Sequence, residues 1–133
     1  MQQSRAILKY SRIPPRKARL AAGLIRGLSV ENAIAQLQYC GLKGGALLLK
    51  TLKSAIANAE TVHGVQRNDL KVQEVRIDPG PILKRSKPKN RGGRAPINKR
   101  TSHFTVVVGI ESDTPRQHKF ETLAAPKPRG STI

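Results

Sequence analysis

The sequence predicts an α+β fold of three helices and three strands, with the last two strands joined by a long basic β-hairpin. Three observations carry this reading. Apolar residues recur at helical spacing in three consecutive segments between residues 15 and 62. Apolar and polar residues alternate in one segment before those helices and in two after them. Between the last two strands sits Arg91-Gly92-Gly93-Arg94, a glycine turn in a stretch that has no acidic residue.

Residues 5–13, RAILKYSRI, read as a short strand in which Ala6, Leu8 and Tyr10 alternate with Ile7, Lys9 and Ser11. Pro14-Pro15 stops it and opens a helix, since proline is tolerated in the first helical turn. Leu20, Leu24 and Leu28, with Ala21 and Ile25, form its expected apolar stripe, and Gly27 its end. Ser29 is placed to cap a second helix, with Glu31 near the positive end of its dipole. Val30, Ala33, Ile34 and Leu37 give that helix a buried face, and Gly41 ends it. A longer helix is expected at about 46–62, with Leu48, Leu52, Ala55, Ile56 and Ala59 inward and His63-Gly64 at its exit.

Gln66 to Asp69 read as a turn, and 70–77, LKVQEVRI, as a strand. Its alternation changes phase between Val72 and Val75, which fits either a bulge or a strand buried on both faces. Asp78, beside Pro79, reads as a turn former. Residues 103–110, HFTVVVGI, are the clearest strand, with Phe104, Val106, Val108 and Ile110 on one face. The arms of the hairpin, about 79–102, would reach some 30–40 Å at roughly 3.3 Å per residue. They hold too few apolar residues to fold back on a core, so an external partner would order them. One globular domain is expected over 1–111, hairpin included, followed by a flexible tail at 112–133, where Pro, Lys, Gly, Thr and Ser dominate.

Charge narrows the function. The net charge is +17 and the pI about 11.2, an excess that opposes compaction and favours a polyanionic partner. Residues 4–27 carry Arg5, Lys9, Arg12, Arg16, Lys17, Arg19 and Arg26 without an acidic residue. Residues 82–100 carry Lys84, Arg85, Lys87, Lys89, Arg91, Arg94, Lys99 and Arg100, also without one. These two stretches hold 15 of the 25 basic residues, so the charge is concentrated rather than a solubilising coat. A membrane partner is not expected: no apolar stretch approaches the roughly 20 residues of a spanning helix. Aromatics at 3% also leave few interfacial anchors. The same scarcity argues against reading single-stranded bases by stacking, which leaves the shape and backbone of folded RNA.

A catalytic centre is hard to assemble. His63, His103 and His118 fall in a helix exit, a strand start and the tail, and their spacing with Cys40 resembles no metal site. Cys40 reads as a packed or semi-exposed thiol at a helix end, and a single cysteine suits a reducing cytosol. Gly41-Leu42-Lys43-Gly44 matches the GxxG loop of KH domains, but two fixed glycines are equally what a helix–helix junction requires. No enzyme, cofactor or metal is expected, nor a homo-oligomer. An RNA chaperone or nucleic-acid-compacting protein is the alternative that charge alone permits.

Three segments together resemble a known family: Ser11 to Leu20 (SRIPPRKARL), Ser54 to Glu60 (SAIANAE), and Gly80-Pro81 through Lys99-Arg100-Thr101-Ser102-His103. In this order and spacing they are similar to ribosomal protein twenty-two of the bacterial-type large subunit, over about residues 5–110. The resemblance implies three helices packed on a small antiparallel three-stranded sheet, with a long protruding basic hairpin. It implies a structural ribosomal protein that binds 23S ribosomal RNA, acts early in subunit assembly and has neighbouring large-subunit proteins as partners. The hairpin tip, Pro88, Lys89, Asn90, Arg91, Gly92, Gly93 and Arg94, would line the exit tunnel and meet the nascent polypeptide. Expected RNA-binding residues are the basic ones above from Arg5 to Arg19 and from Lys84 to Arg100, together with Thr101, Ser102 and His103. The implied location is the large subunit in the cytoplasm, a plastid being the other setting.

Overall fold

A computed structural model describes residues 2–110; the expected tail at 112–133 lies outside the described residues. The elements run β1 (Gln3–Ser11), α1 (Pro15–Ile25), α2 (Val30–Tyr39), α3 (Lys43–His63), β2 (Leu70–Pro88) and β3 (Arg94–Ile110). The three strands form one antiparallel sheet in the order β1-β3-β2, and the helices cover one of its faces. β3 is central, so both of its edges are paired and its inner residues Phe104, Val106 and Val108 are fully buried. They meet Leu48, Leu52 and Ile56 of α3, Val30 and Leu37 of α2, and Ile25 of α1 in a single core. Each large side chain so buried contributes about 1.5–3 kcal/mol, which offsets the self-repulsion of the surface.

The inner face of α3 is as its periodicity predicts, but the helix begins at Lys43 rather than near 46. Gly44 and Gly45 therefore lie inside its first turn, buried. A Cβ on Gly44 would stand 3.1 Å from Ala18 Cα of α1. This close crossing corrects the stripe expected on α1. The helix buries Ala18, Ala21, Ala22 and Ile25, while Leu20 and Leu24 are 64% and 47% exposed. Only small side chains fit where α1 meets α3, so the leucines turn outward. Gly64, at φ 63°, ends α3 in the left-handed region and donates its N–H to Glu60 O.

Ser29 occupies the cap position of α2 but makes no side-chain capping bond; it bridges to Lys71 of β2 instead. In β2 the phase change is a bulge: the register with β3 shifts between Val72 and Glu74. A second shift, between Pro79 and Ile82, places Gly80-Pro81 within the strand, so Asp78-Pro79 is not a turn. Asp78 faces His103 of β3 and accepts a hydrogen bond from Arg76 Nε at 3.0 Å. Beyond this second bulge the ladder continues from Ile82↔Arg100 to Pro88↔Arg94, so the hairpin arm is a direct extension of the sheet.

β1 departs from its expected alternation at one point. Leu8 pairs with Phe104 and Ser11 with Ser102, so Lys9 and Tyr10 together oppose His103. This bulge puts Tyr10 at φ 56° and turns its side chain away from the core side of Ala6 and Leu8.

Both outer edges of the sheet are sealed by the helical layer. On β1, Asn58 Nδ2 donates to Arg5 O at 3.1 Å, and His63 Nε2 lies 3.4 Å from Gln3 O. On β2, Val72 exchanges backbone bonds with Gly27 and Leu28. Arg26 Nη2 donates to Val75 O at 2.8 Å and Arg19 Nη2 to Ile77 O at 3.1 Å.

Candidate nucleic-acid interface

The two basic stretches, far apart in sequence, converge at the root of the hairpin. The turn between β1 and α1 carries Arg12, then the buried Ile13, then Pro14. Its backbone is tied to β3 by Ser102, whose hydroxyl donates to Ile13 O at 2.9 Å. One residue earlier, Thr101 Oγ1 donates to Pro81 O at 2.6 Å across the hairpin root. Where these ties meet lies a cleft of about 450 Å³ lined by Arg12, Pro14, Leu83, Arg85, Asn98, Lys99, Arg100 and Thr101. Four of these residues are cationic and none is acidic, while Leu83 and Pro14 supply an apolar wall. That is the chemistry of a phosphate-backbone seat: fixed positive charge, hydrogen-bond donors and no competing carboxylate.

The cations continue in both directions. Arg16 and Lys17 occupy the exposed first turn of α1, which has no acidic residue. Positive side chains there oppose the helix dipole, so an external anion is favoured at that end. Arg5 and Lys9 are exposed on β1. Along the arm, Lys84 Nζ donates to Asn98 Oδ1 across the strands and Arg85 Nη1 to Lys84 O. Lys87, Lys89, Arg91, Arg94, Lys99 and Arg100 are exposed, and none of them forms an ion pair among the described residues. Three of the acids are engaged elsewhere: Glu74 and Asp78 flank Arg76, and Glu60 contacts Arg67 Nε at 2.6 Å. The hydrogen bond to Glu60, and then its charge, holds the Arg67 guanidinium above its ordinary pKa.

At the tip the chain turns over Lys89–Gly93, closed by Lys89 N donating to Gly93 O at 2.7 Å. Arg91 (φ 55°) and Gly92 (φ 72°) are both left-handed, which the glycine accepts freely and the arginine at some cost.

Several residues expected at the interface have other work. Ser102 is fully buried and Thr101 nearly so, with both hydroxyls committed internally. His103 accepts the Tyr10 backbone N–H on Nδ1 at 3.0 Å. Arg19 is held to Ile77 O through both Nε and Nη2. Gly44, the second glycine of the GxxG pattern, is buried against Ala18 and offers no free loop to clamp a backbone. Asn98 was missed by sequence reasoning, since only the pairing Lys84↔Asn98 brings it to the cleft.

Fold and cleft together define a polyanion-binding α+β module with a cationic arm rooted in its sheet. The family model described as ribosomal protein L22p/L17e matches residues 6–109. Large ribosomal subunit protein uL22 of Protochlamydia amoebophila (strain UWE25) is 69% identical over 108 residues, covering 81% of this chain and 97% of that protein. The protein of that name from Chlamydia pneumoniae is 58% identical over 105 residues, covering 79% and 95%. The chain belongs to the ribosomal protein L22p/L17e family. It is accordingly a structural, RNA-binding protein of the large ribosomal subunit in the cytoplasm, not an enzyme.

Proposed function

We propose that the globular part grips large-subunit ribosomal RNA at the hairpin root, while the arm threads between RNA segments and carries its tip to the wall of the peptide exit tunnel. The observation that carries this reading is the convergence of Arg12 with Arg85, Lys99 and Arg100 in one cleft at the base of an arm without acidic residues. The RNA-facing set is Arg5, Lys9, Arg12, Arg16, Lys17, Lys84, Arg85, Lys87, Lys89, Arg91, Arg94, Lys99 and Arg100. Thr101, Ser102 and Arg19 position this set rather than touch the RNA. His103 acts through its neighbour Tyr10. A chain that joins separate RNA segments in this way belongs early in subunit assembly, and its tip, Pro88 to Arg94, would meet the nascent polypeptide.

Replacing Arg12, Arg85, Lys99 and Arg100 by Gln tests the grip. The slope of log affinity for 23S ribosomal RNA against log salt should fall by about 0.7–0.9 for each phosphate that is no longer neutralised. An unchanged slope would move the binding surface elsewhere. A photo-cross-linker at Arg91 tests the tip: in ribosomes holding a stalled nascent chain it should capture that chain, and capture of RNA alone would remove the tunnel assignment.

A further inference from the structure

We propose that Tyr10 is a stacking platform for an unpaired base of the bound RNA. The inference rests on the RNA-binding reading above and adds a base contact to what is otherwise a backbone interface.

Tyr10 holds a costly backbone conformation and contributes little to the core. Its φ of 56° is a conformation that a bulky L residue adopts only under constraint. The β1 bulge that imposes it turns Tyr10 to the side of the sheet away from the helices, and leaves the residue 65% exposed. Without the bulge, alternation would have placed the ring beside Leu8, against the core. Moving an aromatic ring from shelter into solvent forgoes the burial that would otherwise offset this strain. Such strain persists where the displaced group has a use.

The ring is also held still. His103 lies against it edge to face, with centroids 4.9 Å apart and planes at 87°. The same histidine accepts the Tyr10 backbone N–H on Nδ1. On its other side His103 lies near Gly80, where an added Cβ would stand 2.5 Å from Thr101 Oγ1 and 3.2 Å from His103 Nε2. Gly80 therefore leaves room that the Thr101 hydroxyl and the imidazole share, and the imidazole contacts the tyrosine through both ring and backbone. An exposed ring fixed by its neighbours loses little entropy when a flat partner settles on it.

The surroundings select the partner. Lys9 and Arg12, both exposed, lie within two residues of Tyr10 in sequence, so the platform sits on a positively charged stretch of chain. Asp78, opposite His103, is engaged by Arg76. An aromatic face beside cations suits a nucleobase whose own phosphate is gripped nearby; stacking accepts any base, so the seat demands an unpaired one rather than a given sequence.

The experiment compares two probes that share phosphate but differ in bases: a 23S ribosomal RNA transcript and inorganic polyphosphate. Tyr10→Asn removes the ring while tolerating left-handed backbone. It should bind the transcript about 5- to 150-fold more weakly, the effect of removing one stack, and polyphosphate as before. Tyr10→Phe should stay within about twofold of the parent on both probes, and Tyr10→Leu should behave like Tyr10→Asn. With Tyr39→Phe, Tyr10 is the chain's remaining tyrosine, and its emission should be quenched by the transcript and not by polyphosphate. Equal losses on both probes, or full rescue by leucine, would reduce Tyr10 to a packing element. Unchanged affinity for the transcript with impaired incorporation into subunits would overturn the base seat in favour of a protein contact. Failure of the parent chain itself to bind the transcript would instead defeat the RNA-binding reading.

Discussion

Ser102 separates two explanations of the same sequence motif. Lys99 to His103 could be a run of RNA contacts, or a run whose first residues reach RNA while its last ones fasten the hairpin to the body. The structure assigns Ser102 to fastening: it is fully buried, and its hydroxyl donates to Ile13 O at 2.9 Å. Ser102→Ala deletes the donor and leaves a buried carbonyl unsatisfied, at about 1–3 kcal/mol. For a domain of this size each kcal/mol moves the thermal midpoint by about 4 °C, so a fall of about 4–12 °C is expected. Denaturant unfolding of the free protein measures the same loss as a lower midpoint at unchanged slope. The salt dependence of RNA binding should keep its slope, since no phosphate partner is removed. Unaltered stability together with a flatter salt slope would refute the assignment and return Ser102 to the RNA surface.

Gly44→Val should destabilise the fold by about 1–3 kcal/mol, because the new side chain meets Ala18 where α1 and α3 cross; thermal unfolding checks this, and weaker RNA binding with intact stability would revive the clamp reading of the GxxG pattern. Arg19→Ala should cost about 1 kcal/mol by releasing Ile77 O, and Arg19→Lys should recover only part of it because one ammonium replaces two converging N–H groups. Denaturant titration of both variants beside the parent reads the difference, and equal stability of all three would make Arg19 available to RNA.

How much of this was legible in the sequence depends on the distance over which each feature is decided. The inner face of α3 and the strand character of β3 follow from local periodicity, and both stand. The hairpin was legible because its turn, Arg91 to Arg94, lies between two alternating runs. The stripe on α1 was legible in part: Ala21 and Ile25 are buried as expected, but alanine and leucine both count as apolar, and only the proximity of Gly44 to Ala18 turns Leu20 and Leu24 outward. At the interface, charge density was visible, but not which cations are free. Arg19 is engaged by a carbonyl 58 positions away and Ser102 by one 89 positions away. The outward turn of Tyr10 was hidden for a related reason: its alternation with Ala6 and Leu8 is regular, and the irregularity exists only in the register with β3.

The sealed edges of the sheet have a counterpart further out. Asn58 and His63 cover β1, and Arg19, Arg26 and residues 27–29 cover β2, but this cover stops where the arm leaves the body. From Ile82 to Pro88 and from Arg94 to Arg100 the ladder has two outer rims with no helix beside them, open to pairing with another chain. Pro88, Pro96 and the cations of the arm are what blunt such rims, by removing donors and by repelling a second copy that carries the same charge. The charge of the arm therefore opposes self-association of the free chain. Neutralising the arm would then expose the free chain to aggregation as well as weaken its hold on RNA.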